Sequence, residues 1–222
     1  MKSNPQSSFA PQNIKNIVFD FGGVLLDIDY NRTYKALTSL LNTEFDPKQL
    51  SKVDIQAFHD FEMGIIDTAT FIMHIQRLSV DKIPQVQEII VAWNAMLIGW
   101  DIQKFDLLLR LRKKYKVFLL SNTNELHLDW VKNHLMIHHG IADFEQRFFD
   151  KTYYSHLVGM RKPNVDIYEY VLDDANIQAS ETIFIDDLPE NIDGAHKVGY
   201  HTYLHNPLDN LSEIITHRLQ LI

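Results

Sequence analysis

The sequence contains no cysteine, and this absence removes several kinds of chemistry. Disulfide bonds, thiol nucleophiles and thiolate metal ligands are all excluded. A reducing compartment suits such a chain, and we expect a cytoplasmic protein.

Long apolar runs and excess positive charge are also missing. No apolar stretch approaches membrane-spanning length, and the N-terminal stretch "MKSNPQSSFAPQN" lacks the basic region and apolar core of a signal peptide. The formal net charge of −8 argues against nucleic acid or an anionic membrane as the main partner. We expect a small-molecule ligand, bound by a monomer or a weak homo-oligomer.

What the chain does contain is a series of short buried apolar runs separated by helical patterns. Strands are predicted at 17–19, 117–120, 182–185 and 201–204, with a weaker candidate at 152–155. Amphipathic helical patterns lie between these runs. Such alternation predicts an α/β fold: an open, mostly parallel sheet with helices on both faces.

The spacing of the strands predicts an insertion. After the first strand, residues 30–98 read as helices before the second strand begins. We therefore predict a flexible tail over 1–13, a core formed by 14–29 and 99–222, and a helical cap over 30–98. Ligands of open α/β sheets bind at the carboxyl edge of the strands, and a cap placed there would exclude water and select the substrate.

Polar side chains follow the predicted strands at the points where they end. They are Asp20, Ser121, Asn122, Arg161, Lys162, Asp186 and Asp187. Each alone is ordinary turn chemistry, but parallel strands bring all of them to one edge of the sheet. The acids can hold Mg²⁺, and the hydroxyl, the amide and the cations can bind phosphoryl oxygens. Together they are the groups expected of a site that binds a phosphate and a divalent metal. Asp20 would attack the phosphorus and become a transient aspartyl phosphate.

These segments resemble, in order, the four motifs of the haloacid dehalogenase (HAD) superfamily. They read "FDFGGVL", "LLSN", "GMRKPN" and "FIDDLPENIDGA", and the resemblance covers about residues 15–205. The segments "LLDIDYNR" and "FEMG" are most similar to a bacterial branch that includes α-D-glucose-1-phosphate phosphatase. The resemblance implies a Rossmann-like core and a small helical cap inserted after the first motif.

Roles follow from the resemblance position by position. Asp20 is the implied nucleophile, and Ser121 and Lys162 would bind the phosphoryl group. Asp187 is implied as a direct Mg²⁺ ligand beside Asp20, with Asp186 direct or bridged by water and the carbonyl of Gly22 as a further ligand. Arg32 and Glu62, both in the predicted cap, are candidates for contact with the substrate. The implied substrate is a small phosphorylated metabolite, such as glucose 1-phosphate or another sugar phosphate.

Gly22 departs from the family pattern. Most phosphatases of this superfamily have a second aspartate there, which protonates the leaving group. Losing a general acid typically costs about 10²–10⁴-fold in rate, so we expect a substrate with a comparatively good leaving group. An anomeric hydroxyl, as in a sugar 1-phosphate, and an acyl phosphate both satisfy this condition.

Two other functions are compatible with these residues. A 2-haloacid dehalogenase also lacks the second aspartate and uses an aspartate nucleophile, but it needs no metal, and the Asp186-Asp187 pair argues against it. A catalytically silent phosphate-binding or regulatory module would explain Gly22. The retained Asp20, Lys162 and late acids argue against such a module.

Overall fold

The computed structural model describes residues 10–222. The strands are β1 Asn16–Phe19, β2 Asp27–Ile28, β3 Leu97–Gly99, β4 Lys116–Ser121, β5 Lys151–Tyr154, β6 Thr182–Asp186 and β7 His201–Leu204. The helices are α1 Tyr30–Leu41, α2 Lys52–Glu62, α3 Thr68–Arg77, α4 Val86–Asn94, α5 Gln103–Leu111, α6 Glu125–His139, α7 Phe144–Phe148, α8 Ser155–Val158, α9 Val165–Ala175, α10 Pro189–Lys197 and α11 Leu211–Glu213. Short 3₁₀ helices span Pro11–Asn13 and Ala179–Glu181, and a π-helical turn spans Ile214–Arg218.

A five-stranded parallel sheet forms the centre of the molecule, with strand order β5-β4-β1-β6-β7. β1 is the middle strand, and all four of its residues are buried. Alternate residues of β1 enter opposite layers: Ile17 and Phe19 join one apolar cluster and Val18 joins the other. The predicted α/β fold is confirmed, and all five predicted strands, the weaker one included, are present.

Register places the ends of the central strands side by side. Phe19, the last residue of β1, is opposite Leu119 in β4 and Ile185 in β6. Asp20 then donates its backbone N–H to the Ile185 carbonyl at 2.8 Å. Residues that follow these three strands therefore share one edge of the sheet, as parallel geometry requires.

Four helices, α1 to α4, occupy most of the predicted cap. They enclose their own apolar cluster, which includes Leu37, Phe61 and Phe71, and Leu126 of α6 packs into the same cluster. Asp67 caps the start of α3 by accepting the Thr70 N–H at 2.8 Å. The chain enters and leaves this helical segment through β2 and β3, which pair antiparallel. The division into core and cap remains a prediction.

The N-terminal tail prediction falls mainly on residues 1–9, which lie outside the described residues. Regular structure begins before residue 14, because Pro11–Asn13 form a 3₁₀ helix. Within residues 10–222 the longest helix is too short and too polar to cross a bilayer.

Candidate active site

Lys162 lies at the centre of the polar edge of the sheet. Its Nζ donates to Oδ1 of Asp20 at 2.6 Å and to Oδ2 of Asp186 at 2.7 Å. The lysine is 1% exposed, Asp186 is 0% exposed and Asp20 is 7% exposed. A buried cation is stabilised only when it is paired in this way. The sequence prediction that these three residues converge agrees with the structure.

The two late acids have different surroundings. Asp186 is fully engaged: it accepts the Leu188 N–H at 2.8 Å and the Asn191 amide at 3.0 Å on each oxygen, besides Lys162. Asp187 is half-buried, and among residues 10–222 no side chain donates a hydrogen bond to its carboxylate. Asp187 therefore has lone pairs free for an external cation, whereas those of Asp186 are occupied.

Asp20, Asp186 and Asp187 form a cluster in which one carboxylate oxygen of each lies within 4.8 Å of the others. Hard divalent cations such as Mg²⁺ prefer oxygen ligands of this kind. The donor set therefore fits Mg²⁺. Burial and the charge of Asp186 raise the pKa of Asp20 to about 7, although the charge of Lys162 acts in the opposite direction. Burial, followed by the charge of Asp186, raises the pKa of Asp187 to about 6. A bound cation would offset this repulsion between like charges.

The two glycines after Asp20 have different structural requirements. Gly23 has φ +74°, a left-handed conformation that favours glycine, and a Cβ there would clash with the carboxylate of Asp187 unless that side chain moved. Gly22 has no such conformation, and a Cβ there would meet the flexible end of Ile28 at 3.0 Å. The backbone conformation at position 22 therefore does not require glycine.

Ser121 and Asn122 end β4 beside these acids. The Ser121 hydroxyl is buried and has a single contact among the described residues, to the Asn122 carbonyl at 3.5 Å, which leaves it available to a ligand. Asn122 binds the peptide groups of Lys162 instead: its Oδ1 accepts the Lys162 N–H and its Nδ2 donates to the Lys162 carbonyl, both at 2.9 Å. Its side chain positions the lysine, a role that differs from the expected substrate contact.

Arg161 and Glu62, both expected to bind substrate, bind each other. The Nε and Nη2 atoms of Arg161 donate to Oε2 of Glu62 at 3.1 and 2.8 Å. This pair links the end of α2 to the loop that carries Lys162. Arg32 lies elsewhere, mostly exposed and 3.8 Å from its neighbour Asp29, and it does not line the cavity described next.

A cavity of about 360 Å³ lies mainly within the helical segment and reaches the sheet edge at Asn122 and Arg161; the acid cluster and Lys162 do not line it. Asn122 and Arg161 line it beside the aromatic residues Tyr30, Phe58 and Trp93. A larger groove of about 520 Å³ lies over α2 and α3, but it contains none of the predicted site residues. Convergence of polar groups, rather than size, identifies the smaller cavity as the candidate substrate pocket.

Three contributors to the site were not found by sequence reasoning. Asn191 binds Asp186, His127 contacts Asn94 through Nδ1 at 2.7 Å and stacks on Trp93, and Tyr30 lines the cavity. Burial lowers the pKa of His127 to about 3, so its ring is neutral. Asn191 had a detectable signal, since it lies five residues after Asp186 on the first turn of a helix. Nothing local distinguishes His127 or Tyr30.

A parallel α/β sheet with a buried aspartate-lysine-aspartate group at its carboxyl edge has the architecture of an α/β enzyme that binds its ligand at that edge. Comparison with family models identifies the family. Residues 14–199 match the haloacid dehalogenase-like hydrolase model. The chain belongs to this family and is a HAD-like hydrolase.

Known relatives agree with that assignment. The chain is 32% identical to a D-ribitol-5-phosphate phosphatase from Bacteroides thetaiotaomicron over 86% of this chain and 91% of the relative. HAD family enzyme BT-2542 from the same organism superposes with a TM-score of 0.84 at 34% identity, covering 91% of this chain and 98% of that one. A structure of that enzyme in complex with magnesium and inorganic phosphate superposes with a TM-score of 0.79 at 34% identity, covering 90% and 98%.

The superfamily resemblance seen in the sequence is thus confirmed. The finer likeness to α-D-glucose-1-phosphate phosphatase is not confirmed, because the matched phosphatase is named for an alditol phosphate. Both names describe small phosphorylated polyhydroxy compounds.

Proposed function

We propose that this protein is a Mg²⁺-dependent phosphatase that hydrolyses small phosphate monoesters, with a sugar or alditol phosphate as substrate and an aspartyl-phosphate intermediate. One observation carries the proposal: Lys162 binds Asp20 and Asp186 simultaneously, and Asp187 belongs to the same cluster of carboxylate oxygens. The phosphatase and the magnesium and phosphate complex among the relatives support it.

Each polar group has a role in this reaction. An oxygen of Asp20 attacks the phosphorus and the ester P–O bond breaks, and the leaving oxygen takes a proton from water to give the alcohol. Water later attacks the phosphorus of the aspartyl phosphate and loses a proton to solvent, and the bond between phosphorus and the Asp20 oxygen breaks, which releases phosphate and restores Asp20. Lys162 and the Ser121 hydroxyl would bind phosphoryl oxygens, where positioning and charge dominate catalysis. Asn122 holds the peptide that carries Lys162.

Asp20, Asp187 and the Gly22 carbonyl would hold Mg²⁺, with Asp186 direct or bridged by water. The cation, when bound, neutralises the repulsion between the nucleophile and the phosphate dianion. Asp187 is the better candidate for direct contact, because Asp186 already accepts hydrogen bonds from three other residues.

A panel of phosphate esters, assayed with Mg²⁺ and with EDTA, tests the proposal. It includes glucose 1-phosphate, glucose 6-phosphate and ribitol 5-phosphate. We expect phosphate release that EDTA abolishes and Mg²⁺ restores, and loss of both turnover and phosphoenzyme in Asp20→Asn. Metal-independent chloride release from a 2-haloacid would overturn the proposal in favour of a dehalogenase, and no hydrolysis of any ester would favour a silent module.

The panel also tests the leaving-group expectation raised by Gly22. If the absent acid limits the reaction, glucose 1-phosphate is hydrolysed faster than glucose 6-phosphate, because its anomeric hydroxyl is the better leaving group. Equal or faster hydrolysis of the 6-phosphate would contradict that expectation and leave the phosphatase assignment intact.

A further inference from the structure

The cavity begins at the two loops that carry the groups assigned to the phosphoryl oxygens. Asn122 and Arg161 line it, and they are the chain neighbours of Ser121 and Lys162. Asn122 also joins the two loops through its paired hydrogen bonds to the Lys162 peptide, both at 2.9 Å. A phosphate ester held by Ser121 and Lys162 therefore has this cavity as the adjoining space for its organic part.

His127 lines the same cavity from the first turn of α6, and two contacts fix its ring. Its Nδ1 lies 2.7 Å from Oδ1 of Asn94. The ring stacks on the indole of Trp93, with centroids 5.3 Å apart and planes 5° apart. Asn124 holds the backbone by accepting the His127 N–H at 3.1 Å. The position and orientation of the imidazole are therefore set before any ligand binds, which lowers the entropic cost of binding.

The hydrogen bond to Asn94 decides which ring nitrogen of His127 has the proton. An amide oxygen can only accept a hydrogen bond, so Nδ1 is the donor. Burial lowers the pKa of His127 to about 3, so the ring is neutral and has a single N–H. Nε2 therefore has an unshared lone pair and can act only as an acceptor.

This acceptor nitrogen is accessible and has no partner. Among residues 10–222 no group donates a hydrogen bond to Nε2 of His127. The side-chain atoms that are both buried and unpartnered in that part of the chain include the indole nitrogen of Trp93 but not Nε2 of His127. A ligand in the cavity can therefore reach Nε2, whereas protein atoms cover the Trp93 N–H.

The other polar side chains of the cavity differ from His127. Two already use both a donor and an acceptor inside the protein: Thr33 and Asn122. Two form an ion pair with each other: Glu62 and Arg161. Three have no hydrogen bond within residues 10–222 that would orient their polar atoms: Tyr30, Tyr34 and His59. His127 combines a ring fixed on two sides with a neutral, unused acceptor.

We propose that Nε2 of His127 accepts a hydrogen bond from a hydroxyl group in the organic part of the substrate, and so selects hydroxylated phosphate esters over esters that have no such donor. This inference rests on the proposed phosphatase function and adds a specificity-determining residue to it. His127 binds the substrate away from phosphorus and takes no part in breaking the P–O bond. A fixed acceptor left unpaired in an otherwise aromatic wall penalises a substrate that cannot donate to it.

His127→Phe, compared with His134→Phe on the same helix, tests the inference. Phenylalanine can keep the stack on Trp93 but has no acceptor, and His134 does not line the cavity. The readouts are kcat and KM for the sugar or alditol phosphate that the wild type turns over fastest, and for p-nitrophenyl phosphate, which has no hydroxyl group. We expect His127→Phe to raise KM for the hydroxylated ester by about 5- to 15-fold, with kcat changed by less than about threefold. Both values for the aryl ester should stay within about twofold, and His134→Phe should behave as the wild type.

Three outcomes would overturn this role. An equal loss on both esters would show a general disturbance of the cavity, because such a disturbance does not depend on a substrate hydroxyl. The same selective loss in His134→Phe would show that the cavity position is irrelevant. A fall in kcat at unchanged KM would mean that His127 acts on the reaction and not on binding. Failure of the phosphatase proposal is distinct from all three, since the wild type would then hydrolyse neither ester.

A second variant, Asn94→Ala, keeps His127 and removes the group that fixes its tautomer. The ring can then place its proton on either nitrogen, so Nε2 is no longer held as an acceptor. We expect KM for the hydroxylated ester to rise by about two- to fivefold, with the aryl ester unchanged. The double variant should lose no more than His127→Phe alone, because both changes act on one hydrogen bond. An unchanged KM in Asn94→Ala would contradict the claim that Asn94 holds His127 as an acceptor.

Discussion

The carboxyl edge of the sheet and the helical segment that faces it are built in opposite ways. At the sheet edge, charged groups are buried and each is oriented by several partners: Lys162 by two acids and Asp186 by three donors. Across the cavity, the helical segment presents aromatic rings and a few half-exposed polar groups such as Glu62.

This difference separates two tasks. Buried, multiply bonded groups hold a fixed geometry, which suits a reaction that depends on electrostatic positioning. An aromatic wall with few fixed polar contacts can change its preference through single substitutions. Changes at the sheet edge should therefore abolish the reaction, and changes in the helical segment should alter substrate choice.

The largest effect is expected from Lys162→Met. Removing one partner of a buried charge group leaves Asp20 and Asp186 uncompensated, which costs about 3–5 kcal/mol of unfolding free energy. Turnover should fall by roughly 10²–10³-fold. Urea unfolding and steady-state kinetics measure the two effects.

The matched control for that prediction is Lys151→Met. Lys151 is paired with Asp174 at 2.6 Å, but its side chain is 49% exposed, and a solvated pair contributes little. Similar destabilisation by both variants would contradict the view that burial makes Lys162 essential.

The pH dependence of Mg²⁺ binding is the next largest effect. The pKa of Asp20 is raised to about 7 and that of Asp187 to about 6, so both must lose protons to bind the cation. Affinity should weaken by roughly tenfold per pH unit between about pH 7 and 6, where one acid takes up a proton, and by roughly a hundredfold per unit below about pH 6, where both do. Calorimetry in buffers of different ionisation enthalpy measures the proton release, and pH-independent affinity would contradict the prediction.

The same groups set the stability of the metal-free protein. Because folding raises the pKa of both acids, the folded state holds more protons than the unfolded state between about pH 4 and 7. The contribution of these two acids to the free energy of unfolding in EDTA should therefore decrease as the pH rises through that window, whereas the contribution of His127, whose pKa is lowered by burial to about 3, should increase. Added Mg²⁺ should raise the melting temperature more at pH 8 than at pH 5.

Alanine substitutions at the two glycines after Asp20 should have smaller and unequal effects on stability and Mg²⁺ affinity. Gly23→Ala places a Cβ against Asp187 in a left-handed conformation, which costs roughly 1–2 kcal/mol, and Mg²⁺ affinity should fall about tenfold because the ligand is displaced. Gly22→Ala should leave Mg²⁺ affinity nearly unchanged. Equal losses would show that neither glycine has a specific relation to Asp187. Mg²⁺ titration of each variant gives the comparison.

The sequence predicted the sheet edge better than the helical segment for a physical reason. Parallel strands force the residues that follow them to one edge, so Asp20, Lys162 and Asp186 could be brought together without coordinates. The five-stranded sheet follows from the same periodic signals. The pairing of Arg161 with Glu62 could not be predicted in this way, because it depends on how α2 lies against the loop.

Asn122 shows the same limit at shorter range. Its position after β4 was predictable, but the direction of its amide was not. The side chain lines the cavity, but its amide is bonded to the peptide of Lys162. Tyr30 was missed because a tyrosine at the start of a helix carries no signal of what lies across a cavity from it.

The smallest effect is expected from Glu62→Gln, which sharpens the contrast between the two regions. Glu62 and Arg161 have side chains 28% and 20% exposed, and an ion pair that water still reaches is worth about 1 kcal/mol. We expect KM for ribitol 5-phosphate to change by about two- to fivefold, with kcat little changed, because the pair lies beside the cavity and not at the phosphoryl group. Glu181→Gln provides the control, since Glu181 has a similar exposure of 29% and pairs with Lys15, away from the cavity. A loss of kcat in Glu62→Gln as large as that in Lys162→Met would contradict the separation of roles between the two regions. The helical segment would then determine the chemistry as well as the choice of substrate.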